Sequence, residues 1–357
     1  MVRHRITLIP GDGVGPEVVD AARRAVEATG VPVEWDVQEA GAEVARREGT
    51  PLPERVLDSI RANRVALKGP LSAPVEWSRG SPNVELRRAL DLYAGVRPCR
   101  SFAGAPSRYR DVDVVVIREN TEDSYTGIEL EQGTRETADL LRFVERTTGQ
   151  RVREDSGLSV KAISVGASRR IARFAFAYAR RHGRRTVTVG HKANIMKWSD
   201  GLFLEAAREV AGQNGDLGFE ERIIDNLCMR LVRRPQDHDV LLLPNLYGDI
   251  VADLCAGLVG GHGLAPGADL GDGLAVFDAQ HGSRTGGPGV ANPMAMVLSG
   301  AMMLRHLGEG EAGGRLEAAV ARVVDGGRRL TADLVPTGEA ASTVEIRDAV
   351  ISELVSR

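Results

Sequence analysis

The stretch "ITLIPGDGVGPEVVDAARRAV", residues 6–26, decides the first question about the fold. An apolar run from Ile6 to Ile9 meets a glycine-rich turn, and an amphipathic segment follows with Pro16 placed for a first helical turn. Strand, glycine turn and helix in that order are how a dinucleotide-binding unit opens. The full fingerprint is G-x-G-x-x-G, with an acidic residue about 20 positions on. Gly11 and Gly13 fit it, but Pro16 stands at the third position and Gly15 comes one place early. A proline ring adds bulk where helix and strand should pack closely. Glu34 or Asp36 can pass for the acidic residue, yet acidic residues are too common to add weight. The plainer reading, a tight turn into a helix, outweighs the fingerprint.

The same alternation continues along the chain. "VPVEWDV" reads as a strand, "PERVLDSIRAN" as a helix, "RVALKG" as a strand and "VELRRALDLYAGV" as a helix. "DVDVVVIREN" is a buried strand, and "SRRIARFAFAYARRHG" is a long helix closed at His182-Gly183. "TVTVGHK" and "DVLLLPN" are strands, each followed by a helical run. "ANPMAMVLSGAMMLRHLG" is a strongly apolar helix, and a last amphipathic helix falls near 343–356. Such alternation predicts an α/β protein. Without repeats or a long low-complexity linker, its domains are expected to interleave.

Composition narrows the function. The chain has 357 residues and a formal charge of −3, enough for two domains. No basic run suggests a nucleic-acid arm, so neither nucleic acid nor an anionic membrane is expected as a partner. Cys99, Cys228 and Cys255 lie far apart and form no metal-like spacing, which points to a reducing compartment. The apolar run behind "MVRHR" is too short for a signal peptide, and no stretch approaches a membrane span. A soluble cytoplasmic protein is the expectation.

Four constellations carry chemistry. In "LLLPNLYGDIVADLCAGLVGGHG", Asp249 and Asp253 are four apart near the start of a helix, which sets both carboxylates on one face. They repel unless a cation or strong donors neutralise them, and oxygen ligands suit Mg²⁺ or Mn²⁺. The alternative is a helix cap at Asp249 and a solvated Asp253. Arg87, Arg97 and Arg118 sit near strand or helix ends, where guanidinium forks bind carboxylates bidentately. Three of them suit a substrate with more than one carboxylate, although surface ion pairing is the commoner role of each alone. Lys192, beside Asn194 in "VTVGHKANIMK", is a candidate base, and Tyr125 in "EDSYTGIE" a candidate acid. Solvated charge and packing are their bland alternatives. "FDAQHGSRTGGPGVANP" is a glycine-rich loop that lets backbone approach a ligand, or a flexible surface loop.

Taken in order, these motifs resemble the β-decarboxylating dehydrogenases, the isocitrate/isopropylmalate dehydrogenase family. The resemblance runs from "LIPGDGVGPEV" through "LKGPL", "LDLYAGVRP", "RENTEDSYTGIE", "HKANIMK" and "PNLYGDIVADLCAGLVGG" to "ANPMAMVLSGAMMLRHLG". Within the family the chain is most similar to the NAD-type isocitrate dehydrogenases. The resemblance implies a non-Rossmann α/β fold with two interleaved domains. Residues 1–96 and 260–357 would form a large cofactor-binding domain, and 97–259 a small domain with the dimer interface.

It also implies roles. Ser81 and Asn83 match contacts to the γ-carboxylate of isocitrate, and Arg87, Arg97 and Arg118 match the arginines that hold the malate carboxylates. Asp249 and Asp253 match metal ligands, and Asp225 matches a third that the partner subunit supplies. Lys192, also from the partner, matches the group that deprotonates the hydroxyl. Tyr125 matches the acid that protonates the enol, and Asn194 a contact on the substrate and nicotinamide side. A homodimer with shared active sites follows, using Mg²⁺ or Mn²⁺ and NAD.

The cofactor region departs most from the family. Asp278, His281, Gly282, Ser283, Arg284 and Asn292 match its positions, but the loop is about two residues short and lacks the usual aspartate for the adenosine ribose. Asp278 replaces a usual glutamate, and Ala73 a usual threonine. Arg284 favours NADP through a 2′-phosphate, whereas Ala332 and Pro336 favour NAD, which is the expectation. The substrate is expected to be isocitrate. Homoisocitrate, 3-isopropylmalate or phosphonomethylmalate are the alternatives, and a non-catalytic regulatory subunit is the alternative class.

Overall fold

The computed structural model describes residues 3–74, 80–279, 289–335 and 339–356. Its strands are β1 (His4–Ile9), β2 (Val33–Val37), β3 (Val65–Lys68), β4 (Ala94–Arg100), β5 (Asp113–Glu119), β6 (Glu129–Leu130), β7 (Leu158–Ser159), β8 (Thr186–His191), β9 (Gly218–Ile223), β10 (Val240–Leu243), β11 (Pro266–Gly271) and β12 (Leu274–Ala279). Its helices are α1 (Gly15–Glu27), α2 (Ala42–Glu48), α3 (Glu54–Asn63), α4 (Pro82–Ala89), α5 (Arg135–Thr148), α6 (Val165–Arg181), α7 (Asp200–Gly212), α8 (Ile224–Arg233), α9 (Asn245–Val259), α10 (Met294–His306), α11 (Gly310–Gly326) and α12 (Thr343–Val355).

All strands but two join one sheet in the order β2-β1-β3-β12-β11-β4-β5-β10-β8-β9, while β6 and β7 form a separate ribbon. The flanks are parallel: β2, β1, β3 and β12 run one way, and β5, β10, β8 and β9 run together at the other end. The centre is antiparallel, through the pairs β12·β11, β11·β4 and β4·β5. This α/β sheet is the expected non-Rossmann arrangement. The chain returns from beyond residue 260 to place β11 and β12 beside β3 and β4, so its two ends meet in one layer. The expected boundary at residue 96 falls inside β4.

The opening turn is a packing junction. Gly11 takes φ +77°, and a Cβ there would lie 2.3 Å from the Pro70 carbonyl oxygen. Asp12 accepts from the Ala42 amide at 2.9 Å and from the Ser72 amide and hydroxyl at 2.7 and 2.9 Å. The turn is thereby stitched to the segments after β2 and β3. One expected helix is shorter than read: α4 ends at Ala89, and Asp91 (φ +46°) turns the chain so that "AGVRPCR" becomes β4. All three cysteines are free thiols, with Cys99 and Cys255 buried.

Side chains alternate across the sheet with period two, and this separates its faces. On one face Ile6, Leu67, Val96, Ile117, Leu242 and Phe277 pack with α1, α6, α7 and α10–α12 in the largest apolar core. The opposite face carries two smaller cores. One lies under α3 and α4 around Ile60, Ala66 and Leu86, and the other under α8 and α9 around Val114, Val116, Leu227 and Leu243. Between those two cores the central strands are charged.

Candidate active site

The charged interval follows directly from parity. Lys68, Arg97, Arg118, Asp269 and Asp278 neighbour Leu67, Val96, Ile117, Ala268 and Phe277, which face the large core, so the charged residues share the opposite face. The register completes the cluster. Asp278 lies opposite both Lys68 and Gly267, and Gly95 lies opposite both Asp269 and Arg118. Gly267 leaves space for a guanidinium, because a Cβ there would be 2.7 Å from Arg97 Nη1. Gly248 on α9 does the same for the stem of Arg118, whose Cγ would be 2.6 Å away.

Asp269 is the hub. It accepts from Arg87 Nε at 2.8 Å, from Arg97 Nη2 at 2.9 Å and from Asn120 Nδ2 at 3.0 Å. Asp278 lies 3.4 Å from Lys68 Nζ and 3.6 Å from Arg97 Nη2. The side chains of Lys68 and Arg97 are each only 3% exposed, so these are desolvated charges. Burial opposes ionisation of Asp269, but Arg87 and Arg97 overcome it and hold the carboxyl well below its usual range. Burial also opposes the Arg87 charge, yet Asp269 and Asp278 keep the guanidinium above its ordinary value. Lys68 is pushed down by burial, which Asp278 only partly offsets.

Asn83 joins the cluster from α4. Its Oδ1 accepts from Lys68 Nζ at 3.0 Å and its Nδ2 donates to the Leu71 carbonyl at 3.1 Å, which fixes the amide's orientation. Ser81 caps the same helix, its hydroxyl accepting from the Asn83 amide at 3.3 Å. A cavity of about 710 Å³ between α4 and the turn Ser124–Thr126 includes both Ser81 and Tyr125 in its lining.

Arg118 links the strands to α9. Its Nε and Nη2 donate to Asn245 Oδ1 at 2.9 and 2.6 Å, its Nη1 pairs with Asp249, and its guanidinium lies 4.8 Å over the Tyr125 ring. The Tyr125 hydroxyl donates to the other oxygen of Asp249. Burial, then the Asp249 contact, raises the Tyr125 pKa and keeps the phenol protonated. Because α9 starts at Asn245, Asp249 sits within the helix and is not its cap. Asp253, one turn on, is exposed and lies 3.3 Å from His262 Nε2. The Asp253 contact outweighs burial and raises the His262 pKa. Asp249 and Asp253 are hard oxygen donors of the kind that suit Mg²⁺ or Mn²⁺. Among the described residues, however, no three metal-ligating side chains of one chain converge.

Lys192 and Asp225 stand apart. Lys192 Nζ donates to Asp225 Oδ1 at 2.5 Å, and this contact lowers the Asp225 pKa. Neither shares a hydrogen bond with the arginine cluster among the described residues. Asn194, beside Lys192, is exposed. Buried Asp200 sets this segment: it accepts from the Lys192 amide at 2.6 Å and pairs with Lys161 Nζ at 2.6 Å.

Asp278, expected at the cofactor, lies among the arginines. Asn292 shapes its own loop, donating to Asp333 at 3.0 Å and accepting from the Met294 amide at 3.0 Å. His281, Gly282, Ser283, Arg284 and Pro336 lie outside the described residues. Sequence reasoning missed Lys68, Asn120, Asp200, Asn245 and Asp269. Lys68 and Asp269 carried a usable signal, as charges set in otherwise apolar strand runs.

The family model described as isocitrate/isopropylmalate dehydrogenase matches residues 5–350. A plant relative, the mitochondrial isocitrate dehydrogenase [NAD] catalytic subunit 5 of Arabidopsis thaliana, is 44% identical over 98% of this chain and 88% of its own. The chloroplastic 3-isopropylmalate dehydrogenase of Solanum tuberosum is also 44% identical, over 91% of this chain and 86% of its own. The crystal structure of isocitrate dehydrogenase from Methylococcus capsulatus superposes with a TM-score of 0.90 at 46% identity, covering 98% of this chain and 99% of that one. The cytoplasmic placement expected from the sequence is overturned by the mitochondrial naming of the Arabidopsis relative. No helix among the described residues is long and apolar enough to cross a membrane.

Proposed function

The chain belongs to the isocitrate/isopropylmalate dehydrogenase family, and from that premise we propose that it oxidatively decarboxylates isocitrate to 2-oxoglutarate and CO₂ with NAD, in a dimer whose two active sites are shared. It is an enzyme of the β-decarboxylating class. The observation that carries the reading is the convergence of Arg87, Arg97 and Arg118 with Tyr125 and Asp249 on one sheet face.

The guanidiniums of Arg87, Arg97 and Arg118, with Lys68 beside them, face the carboxylates of Asp249, Asp269 and Asp278. The arginines would take the substrate carboxylates, with Ser81 and Asn83 at the mouth for the distal one. Lys192 takes the proton of the hydroxyl as the adjacent C–H leaves as hydride. The C–C bond to the β-carboxylate then breaks, CO₂ departs, and its electron pair stays as an enolate. Tyr125, held protonated, returns a proton to that carbon. When bound, NAD supplies the hydride acceptor, and a divalent cation on Asp249 and Asp253 with Asp225 of a second chain supplies Lewis-acid charge.

Two features support the shared site. Lys192 and Asp225 pair with each other and share no hydrogen bond with their own chain's arginine cluster among the described residues. Met229 and Val232 on α8 and Ile250 on α9 are exposed apolar residues on the helices that carry Asp225 and Asp249.

The test is reduction of NAD and of NADP with isocitrate, homoisocitrate, 3-isopropylmalate and phosphonomethylmalate, each with Mg²⁺ and Mn²⁺. Turnover is expected with isocitrate and NAD. Negligible rate with isocitrate beside brisk turnover of another acid overturns the substrate, and silence with all of them revives the regulatory subunit. Lys192→Ala and Tyr125→Phe chains, each inactive alone, are expected to regain activity when denatured and refolded together. No recovery would mean that each site is built from one chain.

A further inference from the structure

The reverse face of the central strands holds a cavity of about 510 Å³. Its floor is Val96, Pro98, Ala268, Leu270 and Phe277, the side chains that alternate with Arg97, Asp269 and Asp278. One wall is α10, through Leu298 and Met302, and the other is α6. On α6 the rings of Phe174 and Tyr178, with His182 just past its end, recur every four residues on one face. Tyr178 and His182 stack at 4.1 Å with 28° between planes, and Phe174 and Tyr178 follow at 6.3 Å with the same tilt. This makes a stacked aromatic wall beside an apolar floor.

The rim is cationic. Arg100, Arg181, Arg184 and Arg305 line it against two carboxylates, Asp113 and Glu317. Arg100 and Arg305 share Glu317, and Arg184 pairs with Asp113 at 2.6 Å and with Asp239 at 3.1 Å. Arg181 is exposed and makes no ion pair among the described residues. Its charge is felt inside: burial lowers the His182 and His306 pKa values, and Arg181 lowers both further. Nothing in the proposed reaction uses this face.

We propose that this cavity is a binding site for a small aromatic anion, a flat ring system bearing a phosphate, carboxylate or sulfonate. The ring would lie against Tyr178 and Phe174 over the apolar floor, and the anion would meet Arg181 and Arg305. The volume suits one such molecule, and the surplus of guanidinium over carboxylate selects its charge. An occupant touches the reverse of the strands that carry the arginine cluster, and it joins α6 to α10 across the layer.

The probe is 8-anilino-1-naphthalenesulfonate, titrated by fluorescence into the full-length protein beside the uncharged N-phenyl-1-naphthylamine. One saturable sulfonate site per chain is expected, undisturbed by saturating NAD, Mg²⁺ and isocitrate together. Arg181→Glu should weaken it by about tenfold or more, the worth of one lost charge-assisted contact. Ala177→Trp, at an exposed lining position of α6, should block it by filling the mouth. Arg180→Glu changes the net charge equally beside the cavity and should leave binding unchanged. Equal affinity in wild type, Arg181→Glu and Ala177→Trp overturns the site, as does displacement by the cofactor and substrate mixture. Equal binding of the uncharged analogue overturns the anion preference.

Discussion

Strands β12, β11, β4 and β5 present two chemistries, one on each face. On one face the ionic groups pair with each other, Arg87, Arg97 and Asn120 on Asp269 and Lys68 on Asp278, while Arg97 Nε and Asp278 Oδ1 keep no hydrogen-bond partner. On the reverse face Val96, Ala268 and Phe277 make an apolar floor whose cations stay at the rim. The difference teaches where rigidity comes from. Buried charges hold the site's geometry by mutual pairing, at a desolvation cost that the large core behind the sheet offsets. The reverse face keeps its charges at the rim, and the large core covers it except at the cavity between α6 and α10.

Four results would break or sharpen this contrast. Tyr125→Phe should lower turnover by about 10²–10⁴-fold, the usual worth of a positioned general acid, and leave thermal stability nearly unchanged. Steady-state kinetics and a melting curve read both, and retained turnover would remove Tyr125 from the mechanism. Arg97→Ala leaves Asp269 and Asp278 buried with fewer partners and should destabilise the fold by about 3–5 kcal/mol in denaturant titration. Its neighbour Val96→Ala, on the other face, should cost about 2 kcal/mol through lost methyl burial alone. Equal losses for the two would show that charge pairing contributes nothing beyond packing.

The smallest effect concerns acid. Burial lowers the pKa of His182, His191, His238 and His306, so each binds a proton more weakly folded than unfolded. Stability from these groups is present above the ordinary histidine value of about 6.5 and is lost as pH falls through it. Glu119 and His262 are shifted upward and act in the opposite sense, but they are outnumbered. A lower Tm at pH 5.5 than at pH 7.5 is expected, and an unchanged Tm would refute the reading.

Much of this was legible in the sequence, because local pattern and physical cause coincide there. The alternation of strands and helices, the Asp249/Asp253 spacing and the fit of Pro16 to a first helical turn all depend on near neighbours. What was not legible depends on distance along the chain. Arg87 meets Asp269 across 182 residues, and nothing near either residue announces the other. The helix read through "VELRRALDLYAGV" failed because the apolar spacing runs on past Ala89, while Asp91 adopts a positive φ that ends it. Asp278 was assigned to the cofactor from its place before His281. The register opposite Lys68 and Gly267 also sets it beside the Arg97 guanidinium, a neighbourhood its local sequence does not announce.

The alternation along β4 has a consequence for how a gene encoding this chain can change. Deleting one codon between those for Leu92 and Val96 would shift the strand by one residue and exchange its faces. A guanidinium would enter the apolar interior, and a valine would stand among the charged side chains. Substitutions there can be graded in severity, but a single-codon deletion or insertion cannot. Length variation among functional descendants should therefore be confined to the loops between strands, with β4, β5, β11 and β12 keeping their residue count.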